Sequence, residues 1–526
     1  DVGTLSTGSL DLTTSGTATL GNVNSTGTVA ITVTGAGNDL VIRSLSALNG
    51  SAGQTITLNV ADQILDGDAA TDAALDIRAG ALIINAASMG LSTDALEISV
   101  DTLTLSSSAG SAYLSEANAI TLSTATIAGD LQLSSGGNLT LTNASVTGRA
   151  QLNSTGTMDI GTLTAGSMET SASGTTTLNT VSSSGAASFT VTGTGNDLVI
   201  HSLSALNGNV GQTVTLNVAD QILDGDTANE SALDIRAGTL NISSGSVGTS
   251  SDALEIRVDA LTLTSLLGNV YLSEADSLTL SAATVAGDLQ LATGGNLNLI
   301  NASVTGAVQL STTGNLTLTT ASVTGRAQLN STGTMDIGTL TAGSMDATAS
   351  GTTTLGNVSS MGAVNMTVTG AGNDLLVRRL SALNGNVGQT VTLNVADQIL
   401  DGDAVTDATL DIQAGALNIT ASSVGISTNA LETSVDQMTL VVGSGGTHLV
   451  EQDGLKLTGN TITSTGDLII DVLAGDLTLD TSIQLGGNAQ VLLTAVTGGV
   501  SQASGSVITT ENGTILVTGK TGASVG

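Results

Sequence analysis

The chain has 526 residues and a formal net charge of −34, with no Pro, Cys or Trp and only three aromatic side chains, Tyr113, Phe189 and Tyr271. A conventional globular core of this size would use many more aromatic residues, so the interior must be narrow and filled by Leu, Val, Ile and Ala. The acidic charge excludes nucleic acid and anionic lipid as partners, since Lys and Arg patches bind both.

Intrinsic disorder is disfavoured, because 40% of the residues are hydrophobic and alternate strictly with polar residues over short runs. No apolar run approaches the roughly 20 residues of a membrane helix, so we expect no membrane insertion. The chain begins with DVGTL, already inside the repeat pattern, and we expect it to be a segment of a longer protein. The absence of cysteine is compatible with an extracellular setting.

A long repeat runs through the chain. The tetrapeptide GNDL begins at Gly37, Gly195 and Gly372, so its copies are offset in sequence number by 158 and then by 177. We predict one continuous β-helix over residues 1–526, divided into super-repeats. Their bounds are 1–36 (partial), 37–194, 195–371 and 372–526, the last of which diverges after about residue 453.

Within one coil, residues 129–147 predict three short strands. Leu131 and Leu133 point inward and Gln132 points outward, because strand side chains alternate. Stacked coils would form long parallel sheets, and parallel strands joined by crossovers coil right-handed. The predicted fold class is all-β, a right-handed parallel β-helix with about 19–20 residues in each of about 27 coils.

A shorter repeat unit occurs three times in tandem, over residues 287–305, 306–324 and 325–343. Its apolar columns align, as in Leu291, Leu310 and Leu329. A unit of this kind is typical of one coil of a β-solenoid. The two long offsets differ by 19, which is the length of each copy. This difference predicts that the second full super-repeat has gained one whole coil.

Four of the repeats resemble a known family. They are TDALEISVDTLTL (93–105), GNLTLTNASVTG (137–148), SDALEIRVDALTLT (251–264) and NVYLSEADSLTL (269–280). They resemble the β-strand repeats of filamentous-haemagglutinin-like bacterial adhesins, long exoproteins of the two-partner-secretion and autotransporter type. The resemblance covers essentially the whole chain. The family's secretion domain carries Asn-Pro motifs, which a Pro-free chain lacks, so we expect a piece of shaft.

The resemblance implies a right-handed β-helix at the Gram-negative cell surface or in secreted form. It also implies an outer-membrane secretion partner and a use in cell adhesion or in surface fibres. A host, cell-surface or matrix receptor and end-to-end or lateral self-association are further expected partners.

Dense carboxylates follow the recurring motif ADQILDGD. Calcium takes 6–8 oxygen ligands, so these acids are candidate Ca²⁺ ligands, and Ca²⁺ is the candidate cofactor. The alternative is a solvated loop, because the spacing lacks the Gly and the terminal Glu of an EF-hand. The candidates are Asp66, Asp68 and Asp72, then Asp224, Asp226 and Glu230, then Asp401, Asp403 and Asp407; Asp76, Asp234 and Asp411 close the three runs.

The GNDL motif has two interpretations, a structural turn and a calcium-binding site. GAGNDL at residues 35–40 resembles half of the calcium-binding nonapeptide of RTX proteins, but that site needs tandem copies on successive turns. Here the copies stand in different super-repeats, far apart in sequence. A turn formed by Asn and Asp is the favoured interpretation.

No pattern of residues indicates an enzyme. The two histidines are His201, where Arg43 and Arg378 stand in the other super-repeats, and His448, where Tyr113 and Tyr271 stand. Neither position therefore demands an imidazole. We expect no catalytic residues and no enzymatic activity, since an active site is a single constellation whereas this array repeats its features.

The sequence therefore favours a structural shaft segment of a giant bacterial adhesin, a stiff spacer in adhesion or cell contact. One alternative is the subunit of a self-assembling extracellular filament, because exposed parallel edges invite pairing. A second alternative is a β-helix that binds or cleaves carbohydrate, which needs a groove with aromatic or Arg side chains.

Overall fold

The computed structural model describes residues 1–68, 73–227, 231–403 and 409–524. Across them the structure is all-β with no helix, and parallel strands stack into a β-solenoid of about 24 turns with about 21 residues per turn. The predicted parallel β-helix architecture is confirmed. Nowhere in those ranges does a helix have the length and apolar character of a membrane span.

The chain divides into two compact units, Asp1–Leu267 and Gly268–Gly526. Each unit is itself a stack of parallel strands. The single continuous helix predicted for residues 1–526, with its super-repeat boundaries, stays a prediction.

The strands are short and follow one another closely along the chain. In the first unit they are Val2–Thr7, Leu10–Thr14, Ala18–Ser25, Val29–Val33, Leu40–Asn49, Ala52–Gly53, Thr55–Val60, Gln63–Asp66, Ile77–Arg78, Ala81–Ala86, Ser88–Met89, Leu96–Ser99, Thr102–Ser107, Ala112–Glu116, Ile120–Ile127, Leu131–Ser135, Leu139–Ser154, Met158–Ala172, Thr176–Ser183, Ala187–Val191, Leu198–Ile200, Leu203–Asn207, Val210–Gly211, Thr213–Val218, Gln221–Asp224, Ile235–Arg236, Thr239–Ser244, Ser246–Val247, Leu254–Arg257 and Ala260–Ser265.

In the second unit they are Val270–Glu274, Leu278–Val285, Leu289–Thr293, Leu297–Val304, Val308–Thr312, Leu316–Ser331, Met335–Ala349, Thr353–Ser360, Val364–Val368, Leu375–Val377, Leu380–Asn384, Val387–Gly388, Thr390–Val395, Gln398–Asp401, Ile412–Val424, Leu431–Glu451, Leu455–Thr458, Ile462–Ser464, Leu468–Val472, Leu477–Leu479, Ile483–Leu485, Val491–Ala495, Val500–Gln502, Ile508–Thr510, Ile515–Gly519 and Ala523–Ser524.

Alternation along each strand creates the core. In Leu131–Ser135, Leu131 and Leu133 are fully buried while Gln132 is partly exposed. Each strand hydrogen-bonds in register to the equivalent strand one coil later, as Leu131 does with Ala150. Inward positions therefore form aliphatic columns, and the single Phe, Phe189, lies fully buried in one of them.

The short tandem unit is one coil, as its sequence predicts. In the second unit Leu297 pairs with Leu316, which pairs with Met335, and each step has the length of one copy. On another sheet Leu289 pairs with Val308 and Val308 with Ala327. The added copy is thus accommodated with no change of register.

Other coils are longer than the short tandem unit, so the turns are fewer than the predicted number of about 27. Val29 pairs with Ile56 and Ile56 with Leu82, and both steps exceed the length of one tandem copy. The extra residues of the first step include a short antiparallel hairpin, in which Leu48 pairs with Gly53. A spacing taken from the tandem copies alone underestimates the average coil.

Sheets also exchange roles within the first unit. The stacking column through Ala18 leads, coil by coil, to Ala187, although the sequence equivalent of Ala18 in the next super-repeat is Thr176. The exchange occurs where Ala112–Glu116 stacks on both Ser88–Met89 and Leu96–Ser99. The first super-repeat offset therefore does not correspond to a whole number of turns.

Candidate functional site

The predicted acidic clusters lie where a strand ends on a loop. Gln221–Asp224 brings Ile222 into the core and ends at Asp224. The strand Ile235–Arg236 begins immediately after Asp234. Asp234 and Ile235 are adjacent in sequence, and both are 0% exposed.

Three carboxylates meet at this point of the first unit. One oxygen from each of Asp224, Asp234 and Glu255 lies within 4.8 Å of the other two. The main-chain N–H of Glu255 donates a hydrogen bond of 2.7 Å to Oδ2 of Asp234. Among the described residues, no hydrogen-bond partner reaches Oδ1 of Asp234. We call these three residues the inner acid group.

Burial governs the chemistry of this group. Desolvation, the largest cause, and the nearby charges of Asp224 and Glu255 together raise the pKa of Asp234 from 3.8 to about 9, although the hydrogen bond from the Glu255 N–H opposes the rise. At neutral pH Asp234 can therefore hold a proton. The group is arranged to hold one positive species between its oxygens, either a proton or a cation.

The arrangement recurs in the other super-repeats. In the second unit it comprises Asp401, Asp411 and Glu432, and the Glu432 N–H donates to Oδ2 of Asp411 at 2.9 Å. Asp411 is 1% exposed, and burial again raises its pKa to about 9.

Near residue 76 of the first unit the grouped oxygens belong to Asp66, Asp68 and Asp76. There the Glu97 N–H donates to Oδ2 of Asp76 at 2.8 Å. Desolvation raises the pKa of Asp76 to about 9, with Asp66 and Glu97 contributing as neighbouring charges. The three buried aspartates thus share one environment.

The two clusters of the first unit lie on different sheets. Asp66 stacks on Ile42, in the stack of strands that includes Ala18–Ser25. Asp224 stacks on Ile200, in the column that leads back to Val29. The sheet exchange described above separates them.

The outer predicted ligands make different contacts. Asp68, Asp226 and Asp403 each donate a main-chain N–H to the aspartate two residues earlier, at 2.7–2.8 Å. Asp226 Oδ1 also lies 2.7 Å from Nδ1 of His201, and Asp226 is not part of the inner acid group. Asp403 is likewise outside the group of Asp401. The predicted ligands Asp72, Glu230 and Asp407 lie outside the described residues.

Two members of these groups, Glu255 and Glu432, are not among the predicted ligands. Each lies 21 residues after the buried aspartate, on the next coil, where its N–H meets that aspartate. The pairing of Ile235 with Ile256 shows the same step between coils. This longer coil length, applied at this point of the sequence, would have placed them beside the cluster.

A second kind of buried acid is structural. Glu116 is 2% exposed, and its two carboxylate oxygens accept 2.9 Å hydrogen bonds from the N–H groups of Val100 and Asn118. Glu451 is 0% exposed and accepts from Val435 N–H at 3.1 Å and from Thr433 Oγ1 at 2.6 Å. These glutamates satisfy main-chain donors where one coil passes to the next. Burial raises the pKa of both carboxyls.

The GNDL motif forms a turn. Asn38 Nδ2 donates to the carbonyls of Ser15 and Thr34 at 2.9 and 3.0 Å. Gly37 has a φ of 78°, which glycine adopts without strain. The amide therefore ties this turn to the preceding coil.

A groove of about 690 Å³ lies in the second unit. Its walls include Arg378, Arg379, Asp336 and Asp403. A side chain at Gly356 would collide with main-chain atoms of Gly338, so this lining position of the groove requires glycine.

Comparison of the chain with protein-family models, curated proteins and solved structures found no match.

Proposed function

We propose that this chain is a structural shaft segment of a giant bacterial cell-surface or secreted adhesin. Its work would be to hold other parts of that protein at a set distance during adhesion or cell contact. Export through an outer-membrane secretion partner and an extracellular location belong to the same proposal. They rest on the resemblance of the repeats to filamentous-haemagglutinin-like adhesins.

One observation carries the spacer role. Residues 306–324 add a whole coil to the second unit, and the pairs Leu297–Leu316 and Leu316–Met335 continue without a shift. A binding or catalytic surface is disrupted by such an addition, whereas a spacer is only lengthened. The aliphatic core supports the same role, because each coil presents to the next the same inward columns.

A length series tests the spacer. Variants with zero, one, two or three copies of residues 306–324 would carry a compact marker protein at each end, and averaged electron micrographs would give the marker separation. Each copy should add about 4.8 Å, the spacing between stacked strands. A separation independent of copy number would contradict the proposal.

The same micrographs address the filament alternative. A spacer should give particles of one length, whereas a self-assembling subunit should give long fibres whose number rises with protein concentration. Fibres formed by the unmarked chain at micromolar concentration would favour the filament.

The groove favours one further candidate, binding of an acidic carbohydrate. Arg379 is exposed in it and stands where Ser44 and Ser202 stand in the other super-repeats. A glycan array would compare the chain with Arg379→Ser and, as control, Arg78→Ser on an exposed strand of the first unit. Binding lost only with Arg379→Ser would favour this candidate, and a blank array would favour the pure spacer.

A further inference from the structure

The inner acid group has the dimensions of a cation site. One oxygen each of Asp224, Asp234 and Glu255 lies within 4.8 Å of the others. Two oxygens bound to one Ca²⁺ at about 2.4 Å can be at most about 4.8 Å apart. The separations lie within the span of one ion's coordination shell, and small shifts of the side chains would bring all three carboxylates onto a single ion.

An independent observation points to a missing ligand. Asp234 is 0% exposed, and its Oδ1 has no hydrogen-bond partner in the described part of the chain, although Oδ2 accepts from the Glu255 N–H. A buried polar oxygen without a partner is costly, and native structures provide one. The carboxylates of Asp224 and Glu255 lie beside Asp234, and their negative charge attracts a cation to this place.

We propose that Asp224, Asp234 and Glu255 bind a divalent cation, Ca²⁺. Recurrence supports this assignment. Asp76, Asp234 and Asp411 are each at most 1% exposed, and each accepts the N–H of a glutamate from the next coil. The site goes beyond the spacer role, since a shaft needs no buried charge.

The ligand set favours Ca²⁺ over other metals. The inner acid group offers carboxylate oxygens, and hard oxygen ligands suit Ca²⁺, whereas Zn²⁺ and Cu²⁺ favour imidazole and thiolate. In the bound state, carboxylates from successive coils are joined through the metal.

The test uses the full chain, stripped with a chelator and titrated with Ca²⁺ by calorimetry and equilibrium dialysis. We expect one tightly bound ion for each chain. Asp234→Asn keeps the size of the side chain but removes its charge, and should lose that ion. The control Asp259→Asn removes the same charge from an exposed position on the same unit and should retain it.

Two results would overturn the proposal: no binding up to millimolar Ca²⁺, the weakest affinity of known extracellular modules, or equal ion numbers in Asp234→Asn and Asp259→Asn. Thermal unfolding of the unaltered chain gives a check that needs no variant. The melting temperature should rise when Ca²⁺ is added and stay unchanged when NaCl of the same ionic strength is added. A melting temperature that does not change with Ca²⁺ would contradict the proposal.

Discussion

The main-chain N–H of Glu255 donates a hydrogen bond of 2.7 Å to Oδ2 of the fully buried Asp234, 21 residues earlier. The contact joins two successive coils through an acid that has no access to water. The same contact joins Glu432 to Asp411 in the second unit. A carboxyl used in this way makes the stability of the stack sensitive to protons.

Stability should fall as the pH rises. Burial raises the pKa of Asp76, Asp234 and Asp411 to about 9, so the folded chain keeps protons that the unfolded chain loses above about pH 4. Each group then lowers the free energy of unfolding by up to about 1.4 kcal/mol per pH unit between those values. In chelator, the thermal midpoint at pH 8 should be below that at pH 5.

Asp234→Asn should make this dependence less steep, because the amide does not titrate while Asp76 and Asp411 still do. Asp259→Asn serves as its control, since it lies on an exposed surface. Equal slopes for the two variants, or a midpoint that rises towards pH 8, would show that Asp234 is not the group responsible.

Removal of a whole coil should leave the fold intact. Deleting residues 306–324 lets Leu297 stack directly on Met335, because Leu316 now stands between them in the same column. We expect an unchanged β-type circular dichroism spectrum per residue and a thermal midpoint within a few degrees of the parent. Deleting only residues 306–314 puts inward and outward positions out of register and should abolish cooperative melting. Similar behaviour of the two deletions would refute stacking by whole coils.

The core should be sensitive to volume at Phe189, which is fully buried. Phe189→Ala is expected to cost about 3–5 kcal/mol, the usual range for deletion of a buried aromatic ring. Phe189→Met should cost under about 1.5 kcal/mol, since Met366 occupies the equivalent buried position of the next super-repeat. Denaturant unfolding of the two variants measures the difference, and comparable losses would indicate that the column repacks freely.

The buried glutamates should matter more than exposed ones. Glu116→Ala leaves the N–H groups of Val100 and Asn118 without their carboxylate acceptors, at about 1–3 kcal/mol for each unsatisfied group. Glu169→Ala removes only an exposed ion pair with Arg149 and should cost at most about 1 kcal/mol. Thermal melts of both variants at one pH compare them. A larger loss with Glu169→Ala would be inconsistent with the structural role of Glu116.

Much of the fold follows from local patterns. Alternation in segments such as Leu131–Ser135 and the short tandem copies suffice to predict parallel coils, because each coil contacts only its neighbours. The average coil length is harder to predict. The step from Val29 to Ile56 contains a hairpin that protrudes from the stack, and nothing in the alternation reveals that those residues leave the sheet.

The candidate site is predictable only in part. Asp224 and Asp401 are marked by the dense acidic motif, and the structure places both in the buried groups. Glu255 and Glu432 come from the following coil and escape a search for acids close together in sequence. The burial of Asp234 is also hidden, because alternation predicts that the residue before the inward Ile235 points outward, whereas Asp234 is 0% exposed.

The exchange of sheets within the first unit separates two ways in which such a gene can grow. Duplication of the short tandem unit shifts the residues that follow it by one coil along the stack. Each of those residues stays on the same sheet. Duplication of a whole super-repeat also turns the copied surface to another side, as the different columns of Asp66 and Asp224 show. Recombination between short repeats would thus change only the length of the stack. Recombination between long repeats would place copies of the same surface residues on different sheets.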